Sequence, residues 1–437
     1  MSRLSTGLLS VLAIMITACS VAREPVNSPS FIKTDGQRLV QGDERYIFLG
    51  TNLWYAANLA AESQRERLVR ELDQLQALGI TNLRILGASE GSGSRRVRRT
   101  FQPRPGVYDD SLLVGLDFVL AELGKRDMHA VIYLNNYWVW SGGMAQYAAW
   151  VRDEDFPNPF LEAYTWPQFM SYSASFYCDS AAVALNRAYL QTIIGRTNTI
   201  SGMAYVDDPT IMAWQLANEP RPGLVEEAEA NRACYLGWLE QTAGVIRKLD
   251  PNHLISTGSE GIIGSGLRED IYLQAHALAN IDYLTFHVWA KNWNWFDPLD
   301  AVGTWPETVE RANAYLSDHF AYARQLNKPI VLEEFGFPRD GGAFAVDSPV
   351  SWRNRYFKII LEGIYREAAG GGPAAGSNFW AWGGEGRAAD SSYVWQVGED
   401  YVGDPPQEPQ GLYSVFDSDT STIDLLRMHA ERIRALR

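Results

Sequence analysis

Trp214-Gln-Leu-Ala-Asn-Glu-Pro220 is a short apolar run that closes on a carboxylate, and Pro329-Ile-Val-Leu-Glu-Glu-Phe-Gly336 repeats the design further along the chain. Continuous apolar runs of this length read as strands buried on both faces, as in a parallel sheet. Working outward from them, similar runs occur at Phe48–Leu53, Asn82–Leu86, Ala130–Leu134, Leu254–Thr257, Tyr283–His287 and Asn378–Trp382, making eight with Ile211–Leu216 and Ile330–Glu334. Helical spacing of apolar residues fills the intervals at Arg65–Leu78, Leu112–Lys125, Ala181–Thr197, Glu226–Leu249, Pro306–Leu326 and Ser351–Glu367, and Thr422–Leu436 closes the chain. Only the connection after Thr257 lacks a clear helix. Eight strands alternating with helices predict an α/β architecture closed into a (β/α)₈ barrel rather than an open sheet. Phe31–Val40 and Tyr46–Leu49, alternating about Asp35-Gly36, predict an N-terminal β-hairpin that floors the barrel.

The length allows one large α/β barrel or two or three small domains and does not by itself decide between them. The chain has 437 residues, 46% of them hydrophobic and 21% charged, enough for a sizeable core in a mostly ordered chain. A net charge of −14 opposes phosphate binding, so no nucleic-acid partner is expected. No glycine-rich phosphate loop follows any predicted strand, and no internal repeat stands out. The six histidines are scattered and no Cys-x-x-Cys occurs, so neither a metal nor another cofactor is expected.

Arg3, the apolar stretch Leu8–Ile16 and Thr17-Ala-Cys19 have the layout of a secretory leader. They resemble a bacterial lipoprotein signal, in which a small residue precedes the cysteine that becomes lipidated and N-terminal. That resemblance implies a signal peptide at 1–18, lipidation at Cys19, a tether at 19–30 and one catalytic domain at 31–437. Ser20 resembles the outer-membrane sorting pattern, so the expected location is the bacterial cell envelope, by lipid anchor, with free secretion as the alternative. Cys178 and Cys234 then remain, to pair in an oxidising compartment or to stay as two buried thiols.

Two connections are long, Ser141–Ser180 and Gly383–Gly411, and both follow strands. They are expected over the C-terminal face of the barrel, where loops set specificity. The same face receives the glutamates that end the two opening runs, Glu219 and Glu334, because side chains at that end of a barrel strand are normally there for chemistry. A pair of such carboxylates suits glycosidic hydrolysis, which needs one carboxyl to protonate the leaving oxygen and one carboxylate facing the anomeric carbon. Arg84, at the end of the second strand, would keep one ionised, and burial would keep the other protonated. Tryptophans at Trp54, Trp138, Trp140, Trp166, Trp293 and Trp295 near strand ends are either sugar platforms or packing residues, packing being the commoner fate. His129, His253, His276 and His319 read as structural.

Leu216-Ala-Asn-Glu-Pro220, Thr285-Phe-His-Val-Trp289, Leu332-Glu-Glu-Phe-Gly336 and Asn378-Phe-Trp-Ala-Trp382 together resemble glycoside hydrolase family five, a family of retaining TIM-barrel enzymes. Gly115-Leu-Asp-Phe-Val-Leu120 and Tyr133-Leu-Asn-Asn-Tyr-Trp138 look like its mannan-directed branch, the β-mannosidases and β-mannanases. The resemblance implies Glu219 as acid/base and Glu334 as nucleophile, with Glu333 a neighbour. It implies that Asn218 bonds the sugar 2-hydroxyl, that Arg84 and Asn136 support the floor of that subsite, that His287 orients the acid/base and that Trp380 lies beneath the glycone sugar. Many relatives carry tyrosine where this chain has Trp289, whose indole can only donate a hydrogen bond.

The function so implied is cleavage of β-1,4-mannosidic bonds by a monomer acting on β-mannan-derived oligosaccharides. An exo-acting β-mannosidase is favoured, because a tethered enzyme without a recognisable carbohydrate-binding module suits trimming of oligosaccharides and the long loops would close one end of the groove. An endo-β-1,4-mannanase is the alternative. A non-catalytic glycan-binding lipoprotein, which would tolerate loss of either glutamate, and a metal-dependent barrel hydrolase, which would need paired histidines, are rivals of other classes.

Overall fold

The computed structural model describes residues 30–62 and 64–437. The leader, Cys19 and the tether up to residue 29 lie outside the described residues. Three short antiparallel strands open the domain: β1 (Ile32–Asp35), β2 (Arg38–Gln41) and β3 (Glu44–Tyr46). The expected hairpin is therefore a three-stranded sheet. Its Ile32, Leu39 and Tyr46 form one buried cluster with Phe48, Val131, Met212, Ala213, Leu254, Val331 and Ala375. The last seven occupy the first three positions of barrel strands, so the small sheet stops the N-terminal mouth of the barrel with apolar side chains.

The barrel strands are β4 (Phe48–Asn52), β5 (Asn82–Leu86), β6 (His129–Tyr133), β7 (Ile211–Gln215), β8 (Leu254–Ser256), β9 (Leu284–Val288), β10 (Ile330–Phe335) and β11 (Ala374–Phe379). All paired neighbours are parallel, in the order β8-β7-β6-β5-β4-β11-β10-β9. The seam between β8 and β9 is closed by the Asp282 amide donating to the Ile255 carbonyl at 2.8 Å and by Thr257 meeting Thr285 at 3.3 Å. The fold is the expected (β/α)₈ barrel.

One strand is misplaced by the sequence reading. The eighth runs over Ala374–Phe379, not Asn378–Trp382. Its Ala-Ala-Gly-Ser opening lacks the β-branched signal of a strand because its neighbour is bulky: a Cβ on Gly376 would stand 2.5 Å from the Phe48 ring. After Trp380, joined to Ala381 by a cis peptide, the chain leaves the barrel for β12 (Trp382–Gly384), paired with β13 (Val415–Phe416).

The helices are α1 (Ala56–Ala61), α2 (Arg65–Leu78), α3 (Asp110–Gly124), α4 (Gly143–Arg152), α5 (Trp166–Ala174), α6 (Ser180–Ile194), α7 (Ala228–Leu249), α8 (Glu269–Ala277), α9 (Ala301–Leu326), α10 (Ser351–Ala369) and α11 (Thr420–Arg434). α8 supplies the connection that the periodicity left unclear. The Ser141–Ser180 excursion is not bare loop but contains α4 and α5. Its end is fastened by a Cys178–Cys234 disulfide to α7, with Cα atoms 5.2 Å apart, so the pairing alternative holds. His129, His253, His276 and His319 are buried, with ring nitrogens on the Pro209 carbonyl, Asp250, and the Tyr272 and Tyr315 carbonyls respectively.

Candidate active site

Glu219 and Glu334 arrive from different strands at one cavity. β7 ends at Gln215, and four residues later Glu219 sits with φ +50°, its amide donating to the Gly258 carbonyl at 2.9 Å. Glu334 is the fifth residue of β10. Both are buried, and one oxygen of each lies within 4.8 Å of the other. His287, on β9, bridges them: its Nδ1 is 2.6 Å from Glu219 Oε1 and 3.2 Å from Glu334 Oε2.

Arg84 is the cation at the floor. Its guanidinium is fully buried, pairs with Glu334 Oε1, and donates to Gln215 Oε1 at 2.8 Å, Asn52 Oδ1 at 3.1 Å and Asn218 Oδ1 at 2.7 Å. Asn136 Oδ1 accepts from Asn218 Nδ2 at 3.2 Å. Arg84, Asn136 and His287 thus stand behind the cavity wall and hold the groups that face it, Asn218, Glu219 and Glu334. Glu333 points elsewhere, accepting from Gln215 at 2.5 Å and Tyr283 at 3.1 Å.

Charge is arranged differently from the expectation that Glu219 keeps its own proton. Burial pushes its carboxyl up, but the hydrogen bond and charge of His287, with Arg221 and the Trp138 indole, outweigh that and hold it at about 2. Burial opposes charge on His287, yet the two carboxylates raise it to about 9. The proton shared by this pair therefore favours the imidazole, 2.6 Å from Glu219 Oε1. The reason is geometric: one ring facing two buried carboxylates is worth more protonated than either acid is.

The cavity has a volume of about 510 Å³ and an aromatic lining. Trp138, Trp140, Trp166, Trp293, Trp289 and Trp380 all face it, whereas Trp54 donates to the Gly403 carbonyl at 2.9 Å and Trp295 packs on Tyr315. Trp138 Nε1 donates to Glu219 Oε2 at 2.5 Å and Trp289 Nε1 to Glu219 Oε1 at 3.3 Å. Trp289 thus serves the Glu219 carboxylate, where a donor is what is needed. Trp380 packs edge-on to Trp289 at 5.9 Å, and its Nε1 has no hydrogen-bond partner among the described residues.

Among the lining residues that escaped the sequence reading are Arg221, Glu260, Gln407 and Glu408. Arg221 and Glu260 pair with each other beside Glu219. Glu260 lies four residues beyond the end of β8, the offset that Glu219 has from β7, and that offset could have found it. Gln407 and Glu408 come from the Gly383–Gly411 connection, and nothing local marks them. Glu408 Oε2 has no partner among the described residues, and burial together with the charges of Asp404 and Glu334 pushes its carboxyl well up. Glu219, His287 and Glu334 are also close enough to ligate a cation, but Arg84 already neutralises Glu334 from behind.

A family model described as "GH family 5 beta-mannosidase-like" matches residues 29–437. The chain belongs to glycoside hydrolase family 5. Among solved structures, the family 5 mannosidase of Rhizomucor miehei is similar at TM-score 0.84 and 35% identity, covering 93% of this chain and 98% of that one. A variant of that enzyme in complex with mannosyl-fructose is similar at TM-score 0.84 and 34% identity, with the same coverage. Mannan endo-1,4-beta-mannosidase 1 of Solanum lycopersicum is 29% identical over 349 residues, 77% of this chain and 79% of that protein. This family 5 chain is accordingly an enzyme, a glycoside hydrolase of the mannosidase and mannanase group.

Proposed function

We propose that the chain is a retaining, exo-acting β-mannosidase that releases mannose from the ends of β-1,4-manno-oligosaccharides. Glu334 attacks the anomeric carbon, and the bond to the leaving oxygen breaks as Glu219 delivers a proton to it. That proton comes from His287 Nδ1 across 2.6 Å. Glu219, then ionised, takes a proton from water as the water opens the mannosyl-Glu334 ester, and the anomeric configuration is retained. The spacing supports this, since retention needs carboxyls about 5–5.5 Å apart and inversion needs room for a water between them. Asn218 faces the sugar 2-hydroxyl while Arg84 fixes its amide, and Trp380 underlies the ring.

The exo reading rests on one observation: Pro405, Gln407, Glu408 and Pro409, from the long connection after the eighth strand, wall the cavity that holds Glu219 and Glu334. A loop that closes one end of the cavity would leave no path for a polymer to continue past the sugar being cleaved. Glu408, whose carboxyl is pushed well up by burial and by the charges of Asp404 and Glu334, lines that wall and can hydrogen-bond a hydroxyl of a terminal sugar. The endo-mannanase reading is favoured instead by the likeness to the tomato endo-mannosidase. A digest of manno-oligosaccharides of graded length separates them: mannose alone in the first minutes supports a pocket, and mixed oligosaccharides from mannan support an open cleft.

We further propose that the enzyme works at the bacterial cell envelope, lipid-anchored through Cys19. The Cys178–Cys234 disulfide supports export, since such bonds persist in oxidising compartments. Palmitate labelling lost in Cys19→Ser tests the anchor, and unlabelled, freely secreted wild type ends it.

A further inference from the structure

Trp166 is the first residue of α5, faces the cavity and is 39% exposed, a large apolar area to leave in water. It is not there by looseness. Three rings meet its edge or face nearly at right angles: Trp138 at 5.8 Å, Phe160 at 5.6 Å and Phe169 at 6.0 Å. Thr165 and Gln168 cap the helix reciprocally, the Gln168 carbonyl oxygen accepting from the Thr165 amide at 2.8 Å. Further down, the Tyr137 hydroxyl donates to the Met170 carbonyl at 2.7 Å and Ser173 Oγ to the Tyr137 carbonyl at 2.8 Å. The Cys178–Cys234 bond then pins the segment that follows. The indole is held by these contacts while part of it stays exposed, and Leu161 and Tyr164 of the same connection are exposed too.

Its position says which part of a substrate it meets. Trp138, against which Trp166 packs, is the ring that donates to Glu219. The group that protonates the leaving oxygen stands on the leaving-group side of the scissile bond. Trp166 is therefore one ring removed from the Glu219 contact, in the same cavity. A flat, rigid, partly exposed indole offers a face to the apolar side of a sugar ring at little cost in lost freedom.

We propose that Trp166 is the platform for the leaving sugar, so that the enzyme selects β-linked oligosaccharides over mannosides with small leaving groups. This rests on the mannosidase reading. In the full chain, Trp166→Ala and Trp166→Phe are compared with wild type on mannobiose and on methyl β-mannoside, whose leaving group has no ring to stack. The expected result is a ~10-fold fall in the ratio of kcat/KM for mannobiose to that for methyl β-mannoside in Trp166→Ala, carried mainly by KM, with Trp166→Phe recovering most of it. An unchanged ratio in both variants overturns the platform, since mere support of Trp138 would depress both substrates alike. Wild type inactive on both mannosides overturns the platform and the mannosidase reading together.

Discussion

His287 Nδ1 stands 2.6 Å from Glu219 Oε1, closer than it stands to Glu334 at 3.2 Å, so a proton on the imidazole is aimed at Glu219. His287 is raised to about 9 from an ordinary 6.5, so its contribution to stability is complete below 6.5 and is lost as pH rises through about 9. Glu219 is lowered to about 2 from 4.5, so its contribution is present above 4.5 and is lost as pH falls through about 2. Denaturant unfolding at pH 6 and pH 10 should therefore show a larger alkaline loss of stability in wild type than in His287→Gln. The alkaline limb of kcat/KM, which reports the free enzyme, should fall through about 9 in wild type and move in the variant.

Glu334→Gln should abolish turnover, by roughly 10³-fold or more, while the protein still folds. Arg84 loses its anionic partner on that side but keeps Gln215, Asn52 and Asn218. The stability cost should consequently stay below the ~3–5 kcal/mol typical of an orphaned buried charge. Thermal unfolding beside a kinetic assay checks both parts, and near-wild-type turnover would remove Glu334 from the mechanism.

Gly258 is the hidden support of Glu219. Its carbonyl accepts from the Glu219 amide, its φ is +77°, and an added Cβ would stand 1.8 Å from the Ala217 carbonyl oxygen. Gly258→Ala should displace Glu219 and lower kcat by about 10²-fold, a misplacement effect, with a smaller change in KM. A variant with wild-type kcat would show that the site tolerates movement of this backbone.

The Cys178–Cys234 bond closes a sequence separation of 56 residues. Removing it in Cys178→Ser/Cys234→Ser should lower unfolding free energy by roughly 2–4 kcal/mol. Because the bond fastens the wall that carries Trp166, loss of activity on oligosaccharides should precede global unfolding on heating. Coincident loss of the two would show that the wall does not depend on it.

Chelation should leave activity intact. The triad of Glu219, His287 and Glu334 has ligand-like spacing, but its positive charge is supplied by Arg84 and by the imidazolium. Turnover that falls in excess chelator and returns with a divalent ion would require a different mechanism.

By itself the sequence determined the barrel, and with it the face on which Glu219 and Glu334 would appear. Seven strands are marked by apolar runs because burial on both faces leaves no choice of residue. The eighth is blurred because the bulk of Phe48, on the neighbouring strand, demands small residues at Gly376, a requirement written more than three hundred positions away. Asn136, Asn218, His287, Trp289 and Trp380 each sit at or within three residues of a strand end, and strand ends converge in a closed barrel, whereas Arg84 is not at the end of its strand as the sequence suggested but is the third of the five residues of β5. What only the tertiary structure decided is how His287 stands between the two glutamates, which loop reaches the cavity and which indoles face it. Those depend on distances between His287, Glu219, Glu408 and Trp166, which lie on separate connections and elements. The field at a carboxylate falls off with separation in space, and spacing along the chain carries no measure of that.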